Sequence, residues 1–164
     1  MLLNTRQTNL LISIGCLGMI LIAVFYMQAK LGLHPCPLCI TQRIFVASTG
    51  LIAFIAFLHN PGKQGVRLYA LLGIISAAIG GAVSLRHVWL QNLPDDLVPA
   101  CGPGLDYMFE NFPLQEAIQL LLQGDGNCAD VVWTFLGLSI PAWTAVAFAG
   151  LIGFNLWQLL RSAD

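Results

Sequence analysis

The chain has 164 residues, 57% of them hydrophobic and only 9% charged, with a net charge of −1. An ordinary soluble domain carries roughly 25% charged residues, so too few polar groups remain to coat a water-facing surface, and lipid is the expected solvent for most of the chain. The near-neutral charge and the lack of a basic cluster exclude nucleic acid as a partner, and the length leaves room for one domain, residues 1–164.

Charge-free runs locate the spans, because about 20 apolar residues cross the hydrocarbon core of a bilayer. The first run lies between Arg6 and Lys30 and predicts a span over about 10–28. It is read as a span and not as a cleaved leader, since residues 24–30 show no small-x-small pattern. The second run, Ile44–Gly62, ends in the turn-like His59-Asn60-Pro61-Gly62 and belongs to a span over about 40–58. Leu68–Leu85, bounded by Arg67 and Arg86, predicts a span over about 68–87. The last run, Val131–Leu160, holds 30 residues, more than one crossing needs. Ser139-Ile140-Pro141 marks the expected start of a span over about 139–160, because proline is tolerated in a first helical turn. Trp143 and Trp157 then stand about 21 Å apart along a helix, which brings both towards the interfaces where tryptophan collects. The expected fold is an all-α integral membrane protein, a four-transmembrane-helix bundle.

An even number of spans puts both termini on one side with the 59–67 loop, and the segments at about 29–39 and 88–138 on the other. Arg6, Lys63, Arg67 and Arg161 fall on the terminal side; Lys30 and Arg86 face them, with Arg43 just inside the second span. Val88–Leu138 carries no Lys or Arg at all. Lys and Arg collect on the cytoplasmic side, so both termini are expected to be cytoplasmic and the long loop periplasmic, in a bacterial inner membrane. Asp95-Asp96, Gly102-Pro103-Gly104 and Gly124-Asp125-Gly126 are turn signals in that loop. Between them Pro113–Leu122 reads as a short amphipathic helix, with Leu114, Ala117, Ile118, Leu121 and Leu122 on one face. That stripe suits either the membrane surface or packing on the bundle.

Four of the five cysteines lie on the predicted outer side: Cys36 and Cys39 in the short segment, Cys101 and Cys128 in the long loop. Cys16 sits alone in the first span and reads as a small packing residue. Disulfides persist in oxidising compartments such as the periplasm, so cysteine placement and orientation agree. In His34-Pro35-Cys36-Pro37-Leu38-Cys39, Pro37 at the first helical position would make Cys36 the N-cap and put Cys39 in the first turn. The amide dipoles at such a helix start favour anions and therefore the reactive thiolate. Two plainer readings compete. Structural zinc is disfavoured because Cys101 and Cys128 are separated by 26 residues and no histidine near them completes a familiar pattern, so no metal site is expected. Inert structural disulfides, in a non-catalytic membrane protein, are the second, but a CxxC closes too small a loop to stabilise much. Arg43 follows Cys39 by one helical turn on the same face. A charge inside a span marks function by default, against the alternative that it snorkels to the interface. The third span ends at Arg86-His87, at a similar depth, so cation, imidazole and thiol are expected around one membrane-level pocket suited to a lipid-soluble electron acceptor.

Taken together, Pro35-Cys36-x-x-Cys39 with Arg43, His87-Val88-Trp89-Leu90-Gln91, Gly126-Asn127-Cys128-Ala129 and the run from Trp133 to Trp143 resemble the bacterial disulfide bond formation protein B (DsbB) family over nearly the whole chain. The resemblance implies a relay. Cys101–Cys128 would be the disulfide attacked by a reduced thioredoxin-fold partner of the DsbA type, Cys101 forming the mixed disulfide. Cys36–Cys39 would re-oxidise that pair and pass two electrons to quinone, ubiquinone or menaquinone, with Cys39 against the ring. Arg43 and His87 match positions associated with quinone binding. Relatives of vitamin K epoxide reductase also join cysteine pairs to a quinone, but their loop pair precedes the CxxC, whereas here Cys36–Cys39 comes first.

Overall fold

The computed structural model describes residues 4–99 and 112–161, apart from the side chains of Asp95, Ala117 and Leu120. Helix α1 (Thr5–Leu21) runs on without a break into a π-helical segment, Ile22–Lys30. It is followed by α2 (Pro37–His59), α3 (Lys63–Leu90), the short α4 (Leu114–Gln123), a two-stranded hairpin of β1 (Thr134–Phe135) and β2 (Leu138–Ser139), and α5 (Ile140–Arg161). Among the described residues four helices, α1 with its π-helical end, α2, α3 and α5, are long and apolar enough to cross a membrane. Leucines and phenylalanines such as Leu51, Leu68 and Phe154 point out of the bundle, more than half exposed. In water that surface would be prohibitive; in lipid it is the outside of the protein.

The helices pack in chain order, α1 on α2, α2 on α3, and α3 most extensively on α5. With lipid outside, burial of apolar surface gives helices no reason to associate, so close approach and polar contacts must hold them. Both are present. A β-carbon at Gly80 would run into the Phe148 ring, so only glycine lets α5 come this close to α3. Thr49 Oγ1 donates to Ser76 Oγ at 3.0 Å between α2 and α3, and Gln158 Nε2 to Asn9 Oδ1 at 3.0 Å between α5 and α1. Ile12, Cys16, Val46, Ala53, Ala77, Phe148 and Leu151 fill the core between them.

The turn after α2 follows from sequence: Asn60 closes the helix in the left-handed region, at φ 41°, a conformation asparagine tolerates, and Pro61 cannot continue the helix. The fourth apolar run contains more than a helix. Leu136 and Gly137, both at positive φ, turn the chain into the β1–β2 hairpin before α5 begins. Helix α4 has the expected amphipathic pattern, and Leu114, Ile118 and Leu122 of its apolar face are exposed rather than packed on the bundle. Arg86 holds its C-terminal end, donating from Nη2 to Gln123 O at 2.8 Å and from Nε to Leu122 O at 3.1 Å.

Candidate active site

Helix α2 starts where the CxxC begins. Cys36 is the N-cap with extended backbone, Pro37 fills the first helical position and Cys39 lies in the first turn. Cys36, Cys39 and Cys128 are free thiols, and the Cys36 and Cys39 sulfurs are 3.2 Å apart. Leu38 between them is fully buried and forms, with Val83, Leu90 and Cys128, a second small core at this end of the bundle.

The loop delivers Cys128 to that core. Gly124, at φ 76°, passes so near Leu38 and Leu90 that a β-carbon would stand 2.8 Å from each. The 3₁₀ turn Gly126–Cys128 then lowers Cys128 into full burial, its N–H donating to Asp125 O at 2.9 Å. There the Cys36 and Cys128 sulfurs and a ring nitrogen of His87 all lie within 4.8 Å of one another. The hydrogen-bonding contact with Cys36, reinforced by burial, pushes the Cys128 thiol well above the usual thiol range. Cys128 therefore keeps its proton at neutral pH.

His87, in the last turn of α3, is 3% exposed and stands behind the CxxC. Its Nε2 is 3.8 Å from Cys36 Sγ and its Nδ1 4.0 Å from Cys39 Sγ. Gln42 Nε2 is 3.1 Å from Nδ1; an amide N–H donated there leaves the ring proton on Nε2, facing Cys36. Gln42 is the residue that sequence reasoning passes over. It is neutral, buried one turn into α2, and touches both the imidazole and the cavity described next.

On the other side of Cys39 lies an apolar cavity of about 400 Å³, within the range of roughly 300–1,000 Å³ that small-molecule sites occupy. Its walls include Cys39, Gln42 and Arg43 from α2, Met27 from the π-helical segment, Phe135 from the hairpin and Trp143 from α5. The hairpin is fixed by Trp143 Nε1 donating to Phe135 O at 3.0 Å. Arg43 reaches across to the first span, donating to Gln28 Oε1 at 2.9 Å and to Ala23 O at 3.4 Å, so a cation borders a largely apolar space. His87 is not among the lining residues: it meets the cysteines from behind, while Arg43 faces the cavity beside Cys39. Cys101 lies outside the described residues.

A family model for disulfide bond formation protein DsbB matches residues 5–158. The chain belongs to the DsbB family. It is similar to the disulfide bond formation protein B of Saccharophagus degradans, 63% identical with 96% of this chain and 95% of that protein covered. It also resembles those of Methylococcus capsulatus, 49% identical over 96% of both, and Marinobacter nauticus, 52% identical over 92% of this chain and 89% of the relative. DsbB membership makes the chain a multi-pass membrane oxidoreductase of disulfide bond formation, and the cysteine cluster is where the described residues offer thiols for it.

Proposed function

We propose that the chain re-oxidises a periplasmic dithiol oxidase of the DsbA type by disulfide exchange and passes the electrons to membrane quinone, ubiquinone or menaquinone. One observation carries this reading: Cys36 Sγ lies within 4.8 Å of Cys128 Sγ on the loop side and 3.2 Å from Cys39 Sγ on the other, and Cys39 is in the wall of the apolar cavity. Neighbouring sulfurs thus run from the loop to a space suited to a lipid-soluble ring. In the relay, a thiolate of the partner attacks Cys101 of a Cys101–Cys128 disulfide, and Cys128 leaves as a thiol. The partner's second thiol then displaces Cys101, so the partner leaves as a disulfide and the loop pair is reduced. Cys128 next attacks Cys36 of a Cys36–Cys39 disulfide, its proton passing to the Cys39 sulfur that is freed beside the cavity; Cys101 resolves the mixed pair, returning the loop disulfide and leaving Cys36 and Cys39 as thiols.

The cavity fits a quinone head by its size, its aromatic and aliphatic walls and the single bordering guanidinium. A bound quinone supplies a two-electron, two-proton sink. Arg43 would hold a carbonyl oxygen and stabilise negative charge on the Cys39 sulfur. His87, with its proton on Nε2, would assist the sulfur exchange at Cys36 and act towards the quinone through Cys39. Both termini would be cytoplasmic and the cysteine end periplasmic, in the inner membrane.

The test is quinone reduction by the purified chain on addition of a reduced DsbA-type protein, beside a Cys36→Ala control. Turnover is expected in the wild type and none in the control. Absence of turnover with both quinones, from folded protein with its disulfides formed, would return the chain to structural disulfides. Orientation is checked separately: an impermeant maleimide should label reduced Cys36 from outside spheroplasts, and labelling only in inverted vesicles would reverse the topology.

A further inference from the structure

The spacing of the cysteines argues against a metal site because no histidine near them in sequence completes a familiar ligand pattern. The fold supplies one. Cys36 from the start of α2, His87 from the end of α3 and Cys128 from the loop present two sulfurs and a ring nitrogen within 4.8 Å of one another, with Cys128 and His87 almost wholly buried. Cys39 Sγ lies 3.2 Å from Cys36 Sγ and 4.0 Å from His87 Nδ1, the ring nitrogen that stays off the ion. A tetrahedral ion with sulfur ligands at about 2.3 Å holds them about 3.8 Å apart. The Cys36–His87 separation is already 3.8 Å; the other edges among Cys36, His87 and Cys128 need to close by about 1 Å at most, and the Cys36–Cys39 edge to open by about 0.6 Å.

We propose that the reduced cluster is a binding site for a thiophilic divalent cation of the zinc class, held by Cys36, Cys128 and His87 Nε2, with Cys39 as the fourth donor. This is a three-cysteine, one-histidine set, and its thiolates offset the charge of the ion in a buried place. The outer contact is present too. A metal-bound histidine donates its other N–H to an acceptor, and Gln42, 3.1 Å from Nδ1, meets that need once its amide turns its oxygen inward. The donors come from three separate elements, so the pattern is invisible in the sequence. The site stands on this geometry alone; its consequence rests on the relay proposed above. A disulfide within the cluster withdraws two donors, so the ion binds the reduced state only, and while bound it denies Cys36 and Cys39 to re-oxidation. Zinc-class ions should therefore stall turnover in the reduced form.

The experiment is anaerobic titration of the phosphine-reduced full chain in detergent with Cd²⁺, following the sulfur-to-cadmium charge-transfer band. One ion per chain with a band of three or more thiolates is expected in the wild type and in Cys16→Ala, and none in the oxidised chain. Cys128→Ser should lower the band by one thiolate. His87→Ala and Gln42→Leu should each weaken binding about 10–100-fold, with helical content checked by circular dichroism. No band in the reduced wild type, or a two-thiolate band unchanged by both Cys128→Ser and His87→Ala, would overturn the site. Quinone turnover measured on the same preparations separates the two readings: turnover without ion binding removes the metal site and leaves the relay, and ion binding without turnover does the reverse.

Discussion

Cys16 and Cys128 are equally buried, at 1% and 0% exposed, the first within the helix bundle and the second at the end that carries the CxxC. Around Cys16 the bundle is closed on itself. Its β-carbon fills the place a side chain at Gly50 would take, its neighbours are Ile12, Val46, Ala53 and Phe148, and nearby polar groups pair with one another, as Thr49 does with Ser76. Around Cys128 the groups are left open to change: a second thiol, an imidazole, and beyond Cys39 a cavity with a cation on its border. Burial of a cysteine says nothing about its role. Inside lipid, polar groups must find partners within the protein; around Cys16 that rule serves packing, and around Cys128 it brings two further sulfurs and an imidazole close to one another.

The largest effect expected from this contrast is on turnover. Cys128→Ser should lower partner-driven quinone reduction by on the order of 10³-fold or more, as removal of a reacting group does, whereas Cys16→Ala should leave it unchanged and cost about 1 kcal/mol of stability through lost packing. Steady-state rates and melting temperatures in detergent measure both. Equal loss of rate in the two variants would break the contrast. Next in size is Arg43→Ala, which removes the cation on the cavity border. It should slow quinone reduction about 10–100-fold, or about 1.4–2.8 kcal/mol, while single-turnover exchange with the partner keeps its rate. Unchanged quinone kinetics would reduce Arg43 to an anchor for Gln28 and Ala23.

Much of the outline was legible because charges are scarce: where only 9% of residues are charged, each one marks the border of an apolar run. The same rule shortens α3, which begins at Lys63, since long basic side chains near a helix end extend towards the interface without breaking the helix. The Leu136-Gly137 hairpin lay hidden in an apolar run; the excess length of that run was its only signal. The π-helical end of the first span leaves no mark in a hydropathy pattern, because it changes hydrogen bonding and not composition. At the site, the CxxC and Arg43 announce chemistry by residue type. The contact of Cys36 with Cys128, the position of His87 behind the sulfurs and the bridging place of Gln42 are tertiary facts, set by Leu38 and by the approach of Gly124, and no local spacing encodes them.

The packing of α5 on α3 can be tested by itself. Gly80→Val sets a branched side chain against the Phe148 ring and Phe45, and overpacking of this kind costs about 1–3 kcal/mol. A lower melting temperature with an unaltered rate per folded molecule is expected; a fall in rate at full folding would mean that the α3–α5 packing and the site are mechanically coupled.

The smallest effect is that of pH on the reduced protein, and it isolates Cys128. Its folded-state pKa is raised, first by the contact with Cys36 and then by burial. Below about pH 8.5, the ordinary thiol value, the thiol is protonated in both folded and unfolded chains, and its contribution to stability is fully present. As pH rises beyond that value the unfolded chain releases the proton while the folded one retains it, so stability is lost at up to about 1.4 kcal/mol per pH unit. The reduced wild type should therefore lose melting temperature between about pH 8.5 and 10 more steeply than reduced Cys128→Ser, which has no proton to release there. Parallel curves would mean that Cys128 ionises as an exposed thiol does, and the distinction between a sulfur held in contact with Cys36 and one merely near it would fall.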